Sequence, residues 1–284
     1  MIVVTGATGN VGRALVGRLT TEGTPVRALT RAPERAGLPE SADVGHLDLS
    51  GDRPRPADLA PLFEGASGLF LHRQAAGTHT AALLQAARAG GVRHVTVLSS
   101  GIIQDGADTS HPIYAAHAEL EAHVTESGLG HTFLRPNAFA TNSLQWAPQI
   151  HAGDTVRGPF GGAVTAPIHE DDIAEVAART LLDDGHDGAV HRLTGPEAVT
   201  TEQQIHAIGA AIGRTLRFVD IPPNEVGPEL FPHVPPQMLP AILASFAETV
   251  GAEPEITTTV ETVTGKPART FAQWADDHKD DFRP

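Results

Sequence analysis

The chain has 284 residues, a formal charge of −14 and no cysteine. That length buries a substantial core without metal or disulfide, the acidity excludes a nucleic-acid surface built on clustered Lys and Arg, and the missing thiols exclude thiolate catalysis and cysteine-ligated zinc. Met1 runs directly into Ile2-Val3-Val4 and no apolar run approaches the roughly 20 residues of a bilayer span, so a cytoplasmic protein with no membrane partner is expected.

Through the first half, short β-branched runs alternate with Ala- and Leu-rich stretches, the pattern of repeated βαβ units around a parallel sheet. Strands are predicted at 2–5, 26–30, 45–47, 68–71, 94–98 and 131–135, six in all, with helices at 11–21, 79–89 and 114–127. Gly128 is placed to cap the last of these. Beyond Pro136 the alternation breaks. A glycine-rich stretch at 153–162 precedes a helix opening at His169-Glu170-Asp171-Asp172, where acids favour a helix N-terminus. A proline-rich, irregular segment at 221–240 leads to a helix through Phe246, and a final helix is predicted at 271–278. The fold class is therefore α/β: a doubly wound parallel sheet over 1–136 with a smaller, substrate-covering lobe over 137–284, the two read as one structural unit.

The strongest motif, Thr5-Gly6-Ala7-Thr8-Gly9-Asn10-Val11-Gly12-Arg13, lies between the first strand and the first helix. Gly6 suits a tight turn, Gly9 lets the backbone approach a pyrophosphate, and Gly12 lets the helix pack closely on the strand. Amides at the helix start then face the anion. This context makes Gly6, Thr8, Gly9, Asn10, Val11 and Gly12 the candidate dinucleotide cradle of a Rossmann fold, although the spacing G-x-x-G-x-x-G is looser than the usual dehydrogenase form. The second strand ends at Leu29-Thr30-Arg31, where an NAD-binding protein places an acid on the ribose 2′-hydroxyl. A guanidinium there pairs with a 2′-phosphate, so Arg31 selects NADP(H), with Arg13 and Arg35 adding charge. Asp48 is placed to reach the adenine amine, or is an ordinary turn acid. The neighbouring strand ends add Leu49, Leu71, His72, Pro136, Asn137 and Phe139 to the cofactor set, and the backbone of Arg135-Pro136-Asn137 is read as shaping the nicotinamide pocket.

These features resemble the atypical short-chain dehydrogenases/reductases, specifically the NmrA-like proteins, over essentially the whole chain. The resemblance is carried by the glycine turn, Leu98-Ser99-Ser100, His117-x-x-x-Glu121, Ser127-Gly128-Leu129, Thr132-Phe133-Leu134-Arg135-Pro136-Asn137-Ala138-Phe139, Ile168-His169-Glu170-Asp171-Asp172-Ile173-Ala174 and Phe271-Ala272-Gln273-Trp274-Ala275. It implies an NAD(P)-binding protein, in a family that ranges from reductases of quinones and other carbonyls to non-catalytic redox sensors. The classical Tyr-x-x-x-Lys pair of the wider group is absent. The two lysines are Lys266 and Lys279, and the single tyrosine, Tyr114, has Ala118 four residues on. Aligned through Glu121 and Gly128, the lysine position holds His117 and the tyrosine position Ile113, which leaves Tyr114 one residue, about 100° of helix, out of register.

The expected activity is NADPH-dependent hydride transfer to a carbonyl or quinone, such as a ketone on a bulky aromatic, polyketide-like metabolite. Ser99 or Ser100 would polarise the carbonyl, and His117 would contact the ribose or relay a proton, its unperturbed pKa being about 6.5. Phe139, Asn142, Trp146 and Phe160 are read either as substrate-cleft lining or as core. The alternative is a sensor that binds NADP(H) without turnover and signals to a protein partner; an isomerase or lyase is a third reading with no distinctive acid/base pair behind it. No metal is expected, since no helical His-x-x-x-His with a further ligand occurs and His111 and His117 lie six apart. A serine hydrolase is excluded by the absent Gly-x-Ser-x-Gly.

Overall fold

In the computed structural model, which describes residues 1–51, 54–104, 106–231 and 234–283, the chain divides into two compact units. The first comprises Met1–Pro136, Glu170–Leu193 and Thr262–Gly265; the second comprises Asn137–His169, Thr194–Glu261 and Lys266–Pro284.

The first unit is built on one parallel sheet of seven strands: β1 (Ile2–Thr5), β2 (Val26–Thr30), β3 (Asp43–His46), β4 (Gly68–His72), β5 (His94–Leu98), β6 (Gly130–Pro136) and β7 (Ala189–Leu193). Their order is β3-β2-β1-β4-β5-β6-β7. Every pairing is parallel, from Ile2 opposite Val26 to Pro136 opposite Leu193. β1 is buried along its whole length and β4 along all but His72, as continuous apolar runs require when both faces of a sheet are covered. The order reverses direction between β1 and β4. In open α/β sheets, ligands bind in the crevice outside the carboxyl ends of the strands at such a point.

Four helices of this unit matter for the site: α1 (Asn10–Thr21), α2 (Thr80–Ala89), α3 (Pro112–Glu126) and α4 (Glu170–Leu182). α1 buries Val11, Leu15, Val16 and Leu19 and packs along α4, joined by an Arg18–Glu175 ion pair at 2.9 Å and by Arg179–Glu22. Leu83 and Leu84 of α2 and Leu120 and Val124 of α3 share a core with Leu69, Leu71, Val95 and Val97 of the sheet. α4 opens on Glu170, Asp171 and Asp172, and Gly128 after α3 sits at φ +69°, a left-handed conformation that costs glycine little.

Two differences from the sequence reading concern what lies beyond Pro136. The sheet has a seventh strand, because β7 returns to pair with β6, and α4 returns with it, so the first unit is discontinuous in sequence. β7 is an edge strand with Val190 46% exposed and His191 and Arg192 only partly buried. Such a segment lacks the uniform apolar signature of the central strands. The second unit carries a helix at Thr201–Ile212 that hydrophobic alternation did not reveal; its mark is a capping box, Thr200 Oγ1 accepting from the Gln203 amide and Gln203 reaching back to the Thr200 amide.

The second unit pairs Thr155–Gly158 in parallel with Arg217–Asp220, and Val164–Thr165 antiparallel with Val199–Thr200. Its core gathers Trp146, Ile150, Val156, Ile205, Ile208, Phe271, Trp274 and Phe282. Among the described residues no helix of the chain is long and apolar enough to cross a membrane.

Candidate functional site

The glycine turn closes on itself. Gly6 adopts φ +62°, and a Cβ there would come within 3.1 Å of the His72 side chain. The Gly9 amide donates to the Gly6 carbonyl at 3.0 Å. A Cβ on Gly12 would lie 2.2 Å from that same carbonyl oxygen, so the close approach Gly12 permits is to the turn rather than to the strand. Thr5 Oγ1 donates to the Phe70 carbonyl and accepts from the His72 amide at 2.8 Å, which fixes the turn across β1 and β4. α1 begins at Asn10 with no side-chain cap and no acid in its first turn, leaving first-turn amides without intrahelical partners at the positive end of the dipole. Thr8, Gly9 and Asn10 are exposed there, while Val11 and Gly12 are buried.

The arginines near the end of β2 differ in what they already hold. Arg13 donates to the Gly37 carbonyl at 2.7 Å and to the Ala36 carbonyl at 2.9 Å, so its charge pins a loop and does not reinforce Arg31 as the sequence reading had it. Arg35 lies against its neighbour Glu34 at 3.4 Å. Arg31 is exposed and, among the described residues, makes no hydrogen bond or ion pair. Asp48 accepts from the Ser50 amide at 2.9 Å. Hydrogen bonds from Ser50 hold its carboxyl below the usual range, with Arg31 and His46 adding smaller attractions. It remains exposed on the turn, beside a half-buried Leu49.

At the carboxyl ends of β5 and β6 a buried polar network takes shape. The Ser99 hydroxyl donates to Glu121 Oε1 at 2.5 Å. Arg135 donates through Nε to the same oxygen at 3.0 Å and through Nη2 to Oε2 at 2.6 Å, and its Nη1 reaches the Ile103 carbonyl at 3.0 Å. Two expectations change here. Ser99, 3% exposed, has spent its proton inward on Glu121 and is not placed to polarise a substrate. Arg135 matters through its charge and not only through its backbone. Ser100 is half-buried, and its Oγ accepts from the Ile102 amide at 3.3 Å, which leaves its own proton to donate.

His117, on α3 one turn before Glu121, has a buried Nδ1 with no partner among the described residues. Burial first, then the positive charge of Arg73 and the nearby His72, push its pKa down to about 4 against the opposing pull of Glu121. The ring is therefore neutral near pH 7. That excludes it as an imidazolium acid and leaves it as a hydrogen-bonding group. His72 is likewise pushed down by burial and by Arg73. His111 caps α3, its Nδ1 accepting from the Ile113 amide at 3.2 Å, and its Nε2 is also buried without a partner among the described residues. Sequence reasoning passed over Arg73, the residue directly after β4, and gave Glu121 no task; the signal for the latter was its spacing of one helical turn from His117. Among the described residues no cluster of three or more His, Cys, Asp or Glu is arranged to hold a metal ion.

Leu71 is fully buried in the sheet. Pro136 is buried at the end of β6, its carbonyl accepting from the Gly101 amide at 2.8 Å, and Asn137 after it is exposed. Within the second unit, Phe139, Asn142 and Trp146 line a cleft. Phe160 is absent from the lining. It holds φ +57°, the single non-glycine residue with positive φ among those described, in a turn whose next amide, that of Gly161, donates to Asp220 at 3.0 Å.

Comparison with known proteins adds identity to this geometry. The family profile described as "NmrA-like family" matches residues 1–274. The chain is 36% identical over 286 residues to the (4-alkanoyl-5-oxo-2,5-dihydrofuran-3-yl)methyl phosphate reductase of Streptomyces griseus, covering 100% of both. It is 31% identical to the NAD(P)H azoreductase of Xenophilus azovorans, covering 98% of each. In fold it resembles the crystal structure of the NADPH-dependent quinone oxidoreductase of Escherichia coli complexed with NADPH, with a TM-score of 0.77 at 23% identity over 98% of this chain and 99% of that one.

Proposed function

The chain belongs to the NmrA-like family and is an NAD(P)H-dependent oxidoreductase, and from that premise we propose that it is an NADPH-dependent reductase acting on a quinone or a conjugated aromatic carbonyl. The observation that carries the proposal is the pairing of an uncapped α1 start behind the Gly6–Gly12 turn with an uncommitted Arg31 at the end of β2. The first suits a pyrophosphate and the second a 2′-phosphate. Both residue sets are compatible with the cofactor: a Cβ is sterically forbidden at Gly12 by the turn itself, and no acid stands at position 31 to repel a phosphate.

When bound, the cofactor supplies a hydride. The chain's own residues do the rest. The turn amides hold the pyrophosphate, Arg31 holds the 2′-phosphate, Ser100 donates a hydrogen bond to the acceptor oxygen, and neutral His117 orients the nicotinamide ribose by hydrogen bonding. Ser99 is set aside from this list because Glu121 holds its proton. The acceptor gains a hydride and one proton. With no Tyr-Lys pair and with His117 unprotonated near pH 7, that proton comes from water, which favours an acceptor whose reduced form is a stabilised anion. A hydroquinone oxygen, phenolic with a pKa of about 10, bears the negative charge until protonation far more readily than a simple alkoxide does. The sensor reading gains no support from relatives that are themselves reductases over the full length of the chain.

The test is nicotinamide absorbance with purified protein, a panel of quinones and aromatic ketones, and either NADPH or NADH. Turnover with NADPH well above NADH is expected. Arg31→Ala should raise the KM for NADPH by roughly 10- to 100-fold, the worth of one or two charge-assisted hydrogen bonds, while leaving NADH unaffected. Equal effects on the two cofactors refute the role of Arg31. No turnover across the panel refutes the acceptor class.

A further inference from the structure

The cleft in the second unit has two chemically distinct walls. Phe139, Trp146, Phe231 and Phe246 form one, with the rings of Trp146 and Phe231 6.4 Å apart in an edge arrangement and those of Phe231 and Phe246 also 6.4 Å apart. The other carries a relay of neutral groups. The Ser143 hydroxyl donates to Gln204 Oε1 at 3.0 Å, and Gln204 Nε2 donates to Thr165 Oγ1 at 3.3 Å. The relay has a direction. Ser143 has given its proton and keeps lone pairs to accept with; Thr165 has accepted and, among the described residues, has no acceptor for its own proton. None of the described lining residues carries a formal charge.

We infer that this cleft selects uncharged fused-ring acceptors bearing a hydroxyl or carbonyl, that Gln204 determines this specificity by fixing the polarity of Ser143 and Thr165, and that acceptors carrying a phosphate are rejected. The inference rests on the proposed reductase function and names the substrate class of its acceptor site. The aromatic wall stacks on the ring system through offset or edge contacts. A ring carbonyl takes the Thr165 proton, and a ring hydroxyl donates to Ser143. A phosphate placed here would lose its hydration and find no cation in return, which is prohibitive for a charged group unless it is paired.

The experiment uses a hydroxynaphthoquinone, the unsubstituted naphthoquinone and the phosphate monoester of the hydroxy compound. Binding is read without NADPH as quenching of tryptophan fluorescence, with Trp146→Phe identifying the cleft signal, and kcat/KM is read separately with NADPH. The hydroxy compound is expected to bind about 10- to 100-fold more tightly than the unsubstituted ring, the range for satisfying or abandoning one or two partly buried polar groups, and the phosphate ester weakest of the three. Gln204→Leu should abolish the preference for the hydroxy compound while leaving the unsubstituted ring's affinity within about threefold. Thr165→Val, nearly isosteric and therefore expected to fold, removes the donor to a ring carbonyl that both quinones carry and should weaken the two alike. A phosphate ester that binds as well as the hydroxy compound overturns the inference, as does a Gln204→Leu variant that weakens both neutral rings equally. Selective quenching without NADPH consumption would sink the reductase reading and leave the cleft assignment standing; NADPH consumption without selectivity would do the reverse.

Discussion

Removing the carboxylate of Glu121 should cost far more than any surface substitution in this chain. Glu121 gathers α3, the end of β5 and the end of β6 by accepting from Ser99, Arg135 Nε and Arg135 Nη2, with side-chain exposures of only 10% for Glu121 and 18% for Arg135. In Glu121→Ala the guanidinium keeps a single hydrogen bond, to the Ile103 carbonyl, and the buried Ser99 hydroxyl loses its acceptor. Breaking one side of a buried pair costs about 3–5 kcal/mol. The residual exposure of Arg135 lets water recover part of that, so the expected loss is about 3 kcal/mol, or a fall in Tm of roughly 6–12 °C at the 2–4 °C per kcal/mol typical of chains near this size. Thermal melts followed by circular dichroism, with urea midpoints as a second measure, read it directly. Glu121→Gln should lose about 2 kcal/mol, because its amide can accept from Ser99 but sets N–H against N–H at Arg135. Pairing Glu121→Leu with Arg135→Met should recover most of the loss, since well-packed apolar replacements of a buried ion pair are often neutral. A cost below about 1 kcal/mol for Glu121→Ala would refute the claim that this network holds the strand ends together.

Other expectations are of the same kind. Gly12→Ala drives a methyl onto backbone at 2.2 Å and should abolish NADPH binding, measured by titration calorimetry, whereas Gly17→Ala on the same helix meets nothing within 4 Å and should stabilise by about 0.5–1 kcal/mol. The His117 pKa of about 4 lies below its unfolded value of about 6.5, so the unfolded chain binds the proton first: its contribution is intact above pH 6.5, is lost as pH falls toward 4, and levels off below that. His117→Gln should therefore shrink the difference in urea stability between pH 7 and pH 4.5, and an unchanged difference would reject the burial of that ring. Ser99→Ala should cost about 1.5–2 kcal/mol with kcat nearly intact, while Ser100→Ala should lower kcat on the order of 100-fold with stability unchanged; the reverse pattern would exchange their roles.

What could be read from the sequence was local. Ile2 to Thr5 announces a buried strand by β-branching alone, and the three glycines announce a turn because the positive φ of Gly6 costs glycine little and only glycine tolerates the 2.2 Å approach at Gly12. Right-handed βαβ crossovers narrow the order of the sheet's first six strands to a few arrangements once those strands are placed, without choosing among them. What could not be read depended on distant partners. β7 pairs with β6 from more than fifty positions away and shows the mixed composition of an edge. Arg13 and Arg31 are equivalent as sequence, and only the structure shows that Arg13 is committed to the loop carbonyls of Ala36 and Gly37 while Arg31 has no such partner among the described residues. Phe160 and Phe139 are both aromatic residues near glycine or small neighbours, yet only Phe139 reaches the cleft.

The two serines after β5 carry the same lesson into the chemistry. Side chains alternate along an extended segment, so adjacent residues leaving the strand face opposite ways, and of the two serines here one is buried and the other half-buried. α3 decides which. Because Glu121 rises from that helix between the ends of β5 and β6, the inward position is Ser99, and its 2.5 Å hydrogen bond together with Arg135 makes a rigid platform. Ser100 then stands on a backbone whose conformation is already fixed, with its amide neighbour Ile102 orienting the hydroxyl lone pair. In the role proposed for Ser100, a donor held on such a platform needs little reorganisation when charge develops on an acceptor oxygen. On the proposed function, a reductase lacking the Tyr-Lys pair would keep electrostatic stabilisation while giving up an internal acid, a division suited to acceptors whose reduced oxygen is already a weak base.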